Sequence, residues 1–238
     1  MIYLLVYIIS SFCVFYLYQI ADYFLLQYCA EYVKLSENRK TYVVANLVKS
    51  GILLCLTPFS IHFLYVLLLT FFNNDDIITS NDYKKSILIS AIYCSTDMIA
   101  LLVQKNMKKT TILHHIVVQK AFILLIVLGE YHPITNIILI YGSFSIFAYL
   151  VNFYLGFRHI IQNERFVGIL VTLTHVIYIV SCLINWFIQI IHLFYFIYMA
   201  QFINSIILIG FNCVVINDDI NLLRFLDKYS SLKNIQFD

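Results

Sequence analysis

Two adjacent histidines, His114 and His115, lie about one helical turn inside a long apolar stretch that also carries Lys120, and the apolar stretch before it holds Asp97. An imidazole beside a carboxylate is the working part of an acid–base or nucleophilic centre. The carboxylate favours the protonated ring and fixes its tautomer, so that the other ring nitrogen can take or deliver a proton. Ionisable groups in hydrocarbon are costly unless they meet a partner or a cavity. The cluster is therefore the candidate site, with His114, His115 and Asp97 as its catalytic residues. Lys49 and Lys120 are the cations within reach of it, either to neutralise an anionic substrate group or simply to pair with Asp97, and spacing leaves both roles open.

Adjacent residues on a helix point about 100° apart, so the two imidazoles cannot aim at one point without distortion. One is expected to work and the other to support it. The same geometry argues against a single metal held by the pair, and the HExxH pattern is absent. No metal and no resident cofactor is expected.

The elements that carry these residues follow from composition. The chain has 238 residues, of which 62% are hydrophobic and 12% charged, with a mean hydropathy of +0.86. That is too little polar surface for a soluble globule. Stretches near the length of about 20 residues needed to cross a bilayer recur along it. Seven qualify, at roughly 2–27, 43–72, 86–104, 111–129, 134–157, 166–182 and 192–216. The turn between the last two is placed on polar punctuation, Asn185, Gln189 and His192, because charge is nearly absent from Phe166 to Ile216. The fold class is thus an all-α polytopic membrane bundle.

Basic residues in short loops favour the cytoplasmic side. With seven spans, one side receives Lys34, Arg39, Lys40, Lys105, Lys108, Lys109, Arg158, Arg165, Arg224, Lys228 and Lys233, while the other receives Lys84 and Lys85 with Asp75, Asp76 and Asp82. Six spans would spoil this alternation. An outside or lumenal N-terminus and a cytoplasmic C-terminus are expected. The net charge of +2 is dispersed among loops that face lipid headgroups, so nucleic acid is not an expected partner. Membrane lipids are, and self-association stays open. At a rise of 1.5 Å per residue, Asp97 and His115 both lie roughly 10 Å inside the cytoplasmic end of their spans. The short connection from Lys105 to Thr110 makes those spans antiparallel neighbours.

Polar residues spaced three or four apart mark faces turned away from lipid. They are Ser86, Ser90, Tyr93, Asp97 and Gln104 on the third span; Thr111, His115 and Gln119 on the fourth; Tyr141, Ser145, Tyr149 and Asn152 on the fifth; and Thr172, His175 and Cys182 on the sixth. Gln119, Tyr149, Asn152 and His175, with Lys49 and Lys120, are the candidate substrate-binding residues. The alternative is that such residues only hydrogen-bond between helices. The first span lacks a basic leader and a small-residue cleavage site, so it is expected to stay in the mature protein. The six cysteines have no regular spacing and suggest neither disulfides nor a zinc site.

The segment Tyr93-Cys-Ser-Thr-Asp97, a short basic loop, and Ile112-Leu-His-His-Ile-Val-Val118 together resemble the TLC-domain family of membrane proteins, which includes ceramide synthases and translocating-chain-associated membrane proteins. The resemblance covers residues 43–217. It leaves 1–28 as an additional N-terminal transmembrane helix and 218–238 as a short amphipathic cytoplasmic tail. It implies a six-helix membrane barrel around a lipid-sized cavity, an endoplasmic reticulum or endomembrane location and, by analogy with ceramide synthases, acyl transfer carried by the histidine pair from acyl-CoA as co-substrate. Ceramide synthases continue with an acidic stretch after the histidines, whereas Ile134 to Phe157 here holds no carboxylate. The chain is closer in this respect to the non-synthase members.

Two functions stand level on these grounds: a histidine-dependent lipid reaction, and a non-enzymatic protein that binds lipid or organises partners. A channel or transporter ranks below both, since only Lys120 and His175 fall near mid-depth and Pro58 is the one proline inside a span.

Overall fold

The computed structural model of the chain describes residues 2–73, 79–129 and 132–234. Among them there is no strand. The elements are α1 (Ile2–Tyr28), a single turn α2 (Ala30–Val33), α3 (Glu37–Asn73), α4 (Ser80–Val103), α5 (Lys109–Leu128), α6 (Pro133–Ile146), α7 (Tyr149–Phe157), α8 (Glu164–Tyr198) and α9 (Phe202–Asn234). Among the described residues seven spans are long and apolar enough to cross a membrane, with α6 and α7 making one of them between Pro133 and Phe157. The expected span number therefore holds. Asp75 and Asp76 of the expected acidic loop lie outside the described residues, as do 235–238 of the tail and the side chain of Lys233.

Local chemistry sets most of the ends. Thr79 caps α4 reciprocally with Asp82, the Thr79 hydroxyl accepting from the Asp82 amide and the Asp82 carboxylate accepting from the Thr79 amide. Pro133 opens α6 at a position where its missing N–H costs nothing, and the His132 ring accepts from the Ile134 amide. Gly129 ends α5 at φ +75°, which a side chain would disfavour. Asn163 caps α8 through the Phe166 amide.

The break between α6 and α7 contains no proline. Ser145 Oγ donates back to the Tyr141 carbonyl at 3.0 Å, a bond that bends helices. The turn tightens, with the amides of Phe147 and Ala148 reaching the carbonyls of Phe144 and Ser145. Helix α8 then supplies donors to the loosened backbone: Ser181 Oγ to the Phe144 carbonyl and Thr174 Oγ1 to the Leu150 carbonyl.

Packing runs in a ring. α3 packs on α4, α4 on α5, α5 on α9, α9 on α8, α8 on α7, and α7 back on α3, while α1 lies outside against α4 and α3. The close approach of α7 to α3 is allowed by Gly156, where an added Cβ would fall 2.7 Å from the Leu47 side chain. The outer faces are the lipid-facing ones: Ile169, Leu173, Val176, Val180, Leu183 and Phe187 of α8 are all exposed. α3 has 37 residues and α8 has 35. At 1.5 Å per residue each exceeds 50 Å, against about 30 Å of hydrocarbon, so their ends project beyond it or the helices tilt.

One expectation about the chain's later part is corrected. The turn between the last spans lies at Met199–Gln201, where Ala200 has φ 54°, and not at Asn185 to His192. Asn185 and Gln189 are buried within α8, and the Gln189 amide donates to the Ile137 carbonyl of α6. Their polarity serves a helix–helix contact, and His192 Nδ1 contacts the Ile188 carbonyl of its own helix at 2.9 Å. The expected tail from 218 onward continues the last helix as far as it is described. α9 runs without interruption through Asn217 to Asn234, and Leu226 and Asp219 on it are buried.

Candidate functional site

The ring encloses a cavity of about 430 Å³, within the range of small-molecule sites. It reaches from the interior to the α4–α5 connection, where Gln104, Asn106, Met107 and Lys108 border it, and to Arg158 at the end of α7. This is the end of the bundle where the sequence concentrates lysine and arginine.

At the inner wall the expected cluster is assembled. Asp97 of α4 has no exposed surface. Its Oδ1 is ion-paired with the Lys49 ammonium of α3 and lies 3.1 Å from His115 Nδ1 of α5. The Asp97 partner therefore need not be chosen between a histidine and Lys49, because the same oxygen meets both. The Lys49 ammonium also sits 5.6 Å from the centre of the Tyr93 ring. His115 and His114 both line the cavity, whereas Asp97 lies behind them. The two rings are 5.6 Å apart and nearly perpendicular, yet both face the one cavity, so the neighbouring imidazoles converge more closely than their offset of about 100° around the helix predicts.

His114 meets a different carboxylate, which the sequence reading missed. Its Nδ1 lies 3.4 Å from Asp218 Oδ2 of α9. Beside it Asp219 accepts from the Tyr178 hydroxyl at 2.8 Å and from the Trp186 indole at 3.1 Å, tying α9 to α8. Both aspartates border the cavity. The only signal was their position at the end of an apolar run, with Leu222, Phe225 and Leu226 continuing a helical period. It was read as the exit from the membrane.

Of the six candidate substrate-binding residues, Lys49 and Asn152 border the cavity. The other four stand elsewhere. Lys120 is exposed on the outer side of α5. Gln119 accepts from the Tyr7 hydroxyl at 2.7 Å and donates to the Cys94 carbonyl at 2.8 Å, so it joins α1, α4 and α5. Tyr149 packs against the core around Leu53 and Ile146, and its carbonyl accepts from Ser50. His175 lies 3.5 Å from the Ser230 hydroxyl. On α8 the face toward the cavity carries Tyr178, Ser181, Cys182 and Asn185, while Thr172 of the expected stripe is exposed.

Donor atoms of Asp97, His114 and His115 all lie within 4.8 Å of one another. They are the residues that a metal ion would have to use. Asp97 is already neutralised by Lys49, which opposes a second cation at that point. Asp97 Oδ2, His114 Nδ1 and His115 Nδ1 have no hydrogen-bond partner in good geometry. The close His–Asp contacts are thus angled ion-pair contacts, open to tightening when a ligand fills the cavity.

Outside the spans, His159 contributes to the mouth region. Arg158 Nε donates to His159 Nε2 at 3.2 Å, and the His159 ring stands edge-on to Tyr42. Burial, then the charges of Arg158 and Arg39, push the His159 imidazole down to about 4. Arg158 itself lies 4.7 Å from the Phe225 ring centre and 5.7 Å from that of Tyr229, pinning the far end of α9.

Comparison of the chain with family models, with curated proteins and with solved structures gives no match.

Proposed function

We propose that this is a TLC-type membrane protein, with α3 to α9 as a six-span barrel and α1 outside it, that performs histidine-dependent acyl transfer on membrane lipids. The observation that carries the reading is His115 at the wall of a 430 Å³ cavity with the fully buried Asp97 behind it. With Nδ1 turned to the carboxylate, Nε2 is the nitrogen left to meet a substrate. His115 takes the proton of an acceptor hydroxyl or amine as that atom attacks the acyl-CoA carbonyl. The C–S bond then breaks, and the imidazolium returns the proton to the leaving thiolate. Asp97 and Lys49 hold the ring, and His114 supports it from its own partner, Asp218.

The basic end of the bundle, where the cavity opens, is assigned to the cytoplasm, with an endoplasmic reticulum or related endomembrane location. The test supplies labelled oleoyl-CoA to membranes containing equal amounts of wild type and His115→Ala. Label enters lipid with the wild type and falls about 100-fold or more with the variant, the usual scale for a lost general base. Identical lipid profiles end this reading.

A second reading is favoured by one contact. The Lys49–Asp97 ion pair crosses from α3 to α4 and neutralises charge without any chemistry, as a lipid-binding or partner-organising protein would require. In that case lipid is retained and label stays on CoA.

A further inference from the structure

Charge in the cavity is unevenly balanced. Asp219 is buried, and both its oxygens accept hydrogen bonds from neutral donors, Tyr178 and Trp186. Among the described residues, no lysine, arginine or histidine lies within ion-pair distance of it. Asp218 has only the His114 imidazole, at 3.4 Å. Two adjacent carboxylates in a spanning helix thus have one imidazole between them and no lysine or arginine within ion-pair distance, and a buried charge without a partner is costly. None of the cations bordering the cavity pairs with these carboxylates: Lys49 is bound to Asp97, while Arg158, over Phe225, and the exposed Lys108 stand at the mouth. The lining therefore has a negative pole on α9 and a positive rim.

We infer that the cavity takes the phosphocholine headgroup of a membrane phospholipid, with its trimethylammonium end at Asp218 and Asp219 and its phosphate toward Lys108 and Arg158. The inference rests on the cavity being a lipid site, as proposed above, and names the headgroup; the acyl acceptor is then the free glycerol hydroxyl of a lysophosphatidylcholine, and the diacyl lipid is the product. A quaternary ammonium fits better than a primary one for a stated reason. The Asp219 oxygens are already engaged by Tyr178 and Trp186, so the attraction left to them is between charges and needs no N–H donor. The rings of Tyr141 and Tyr178 border the same space, and aromatic faces beside carboxylates are the usual surroundings of a choline cation.

The experiment uses the full chain carrying His115→Ala, so that nothing turns over. It is purified in detergent and mixed with equal amounts of dioleoyl phosphatidylcholine, phosphatidylethanolamine and phosphatidylglycerol, and retained lipid is read by native mass spectrometry. Phosphatidylcholine is expected to be retained about tenfold over each of the others. Adding Asp219→Asn should bring it to the phosphatidylglycerol level. Asp218→Asn, at a side chain that is 19% exposed, tests the same charge with less risk to folding and should cut the preference several-fold. Equal retention of the three lipids, a preference that survives both substitutions, or a bound divalent ion in place of lipid overturns the inference. Soluble phosphocholine should compete only in large excess, and equal potency would overturn the assignment to a lipid. Acyl transfer is measured separately on the wild type, so either reading can fail alone.

Discussion

The Lys49–Asp97 ion pair can be tested by a double-mutant cycle. Asp97 has 0% side-chain exposure and Lys49 14%, so both charges are largely withdrawn from water. Two unit charges about 4 Å apart attract by about 4 kcal/mol at an effective dielectric constant near 20, and removing one member of such a buried pair costs about 3 to 5 kcal/mol. Loss of Lys49 is partly offset by His115, which touches the same carboxylate oxygen. Lys49→Met is therefore expected near the lower figure, about 3 kcal/mol, and Asp97→Leu at a similar cost because it strands an ammonium at the cavity wall. The double variant removes both charges and keeps apolar volume, so it should lie within about 2 kcal/mol of wild type, a coupling of about 4 kcal/mol. Reversible unfolding by SDS in mixed micelles supplies the free energies. The single tryptophan, Trp186, is the probe, since it bonds Asp219 and reports the α8–α9 contact. Costs that simply add, giving a double variant about 6 kcal/mol less stable, would refute the pairing. If the proposed acyl transfer operates, the double variant should lack it, because His115 has lost the group that orients it.

Stability should also depend on pH through His159. Its folded-state value is depressed below the ordinary histidine value, to about 4, so its contribution is complete above about 6.5 and is lost as pH falls from there toward 4. The ring is only half-buried, which limits the effect to about 1 kcal/mol after solvent screening. The unfolding midpoint should drop over that window, and His159→Phe should remove that part of the drop; an unchanged profile would show that His159 does not titrate on unfolding. Metal analysis of the purified protein should find well under one zinc or iron per chain, because Lys49 neutralises the one carboxylate that the histidine pair shares with a candidate ion. A stoichiometric metal that disappears in His114→Ala would overturn that view and the acid–base role of His115 with it.

The number of spans was legible because spanning stretches are long and their basic loops alternate. Asp97 and His115 were legible as partners because a short connection makes their helices neighbours and their depths agree. Depth, however, says nothing about direction around a helix axis. Lys120 and His175 lie in spans and were assigned to the interior, yet Lys120 faces outward and His175 meets Ser230 at the far end of α9. In a span that is apolar on every side, azimuth is decided by neighbours the sequence does not name. The turn at Met199–Gln201 was missed for a related reason: Asn185 and Gln189 look like loop residues, but in a bundle their amides find backbone carbonyls of another helix. Asp218 and Asp219 were hidden by the opposite assumption, that carboxylates after an apolar run are already in water.

Helix α9 is the last of the described elements and still provides one whole wall of the cavity, including the aspartate that meets His114. Without α9 the ring of helices is an open horseshoe, with the imidazoles unscreened on the missing side. The cavity wall is complete only when that strut lies between α5 and α8. Truncation before Phe202 should leave the cavity open on that side, and a bulky fusion that prevents this docking should do the same without touching a single cavity residue.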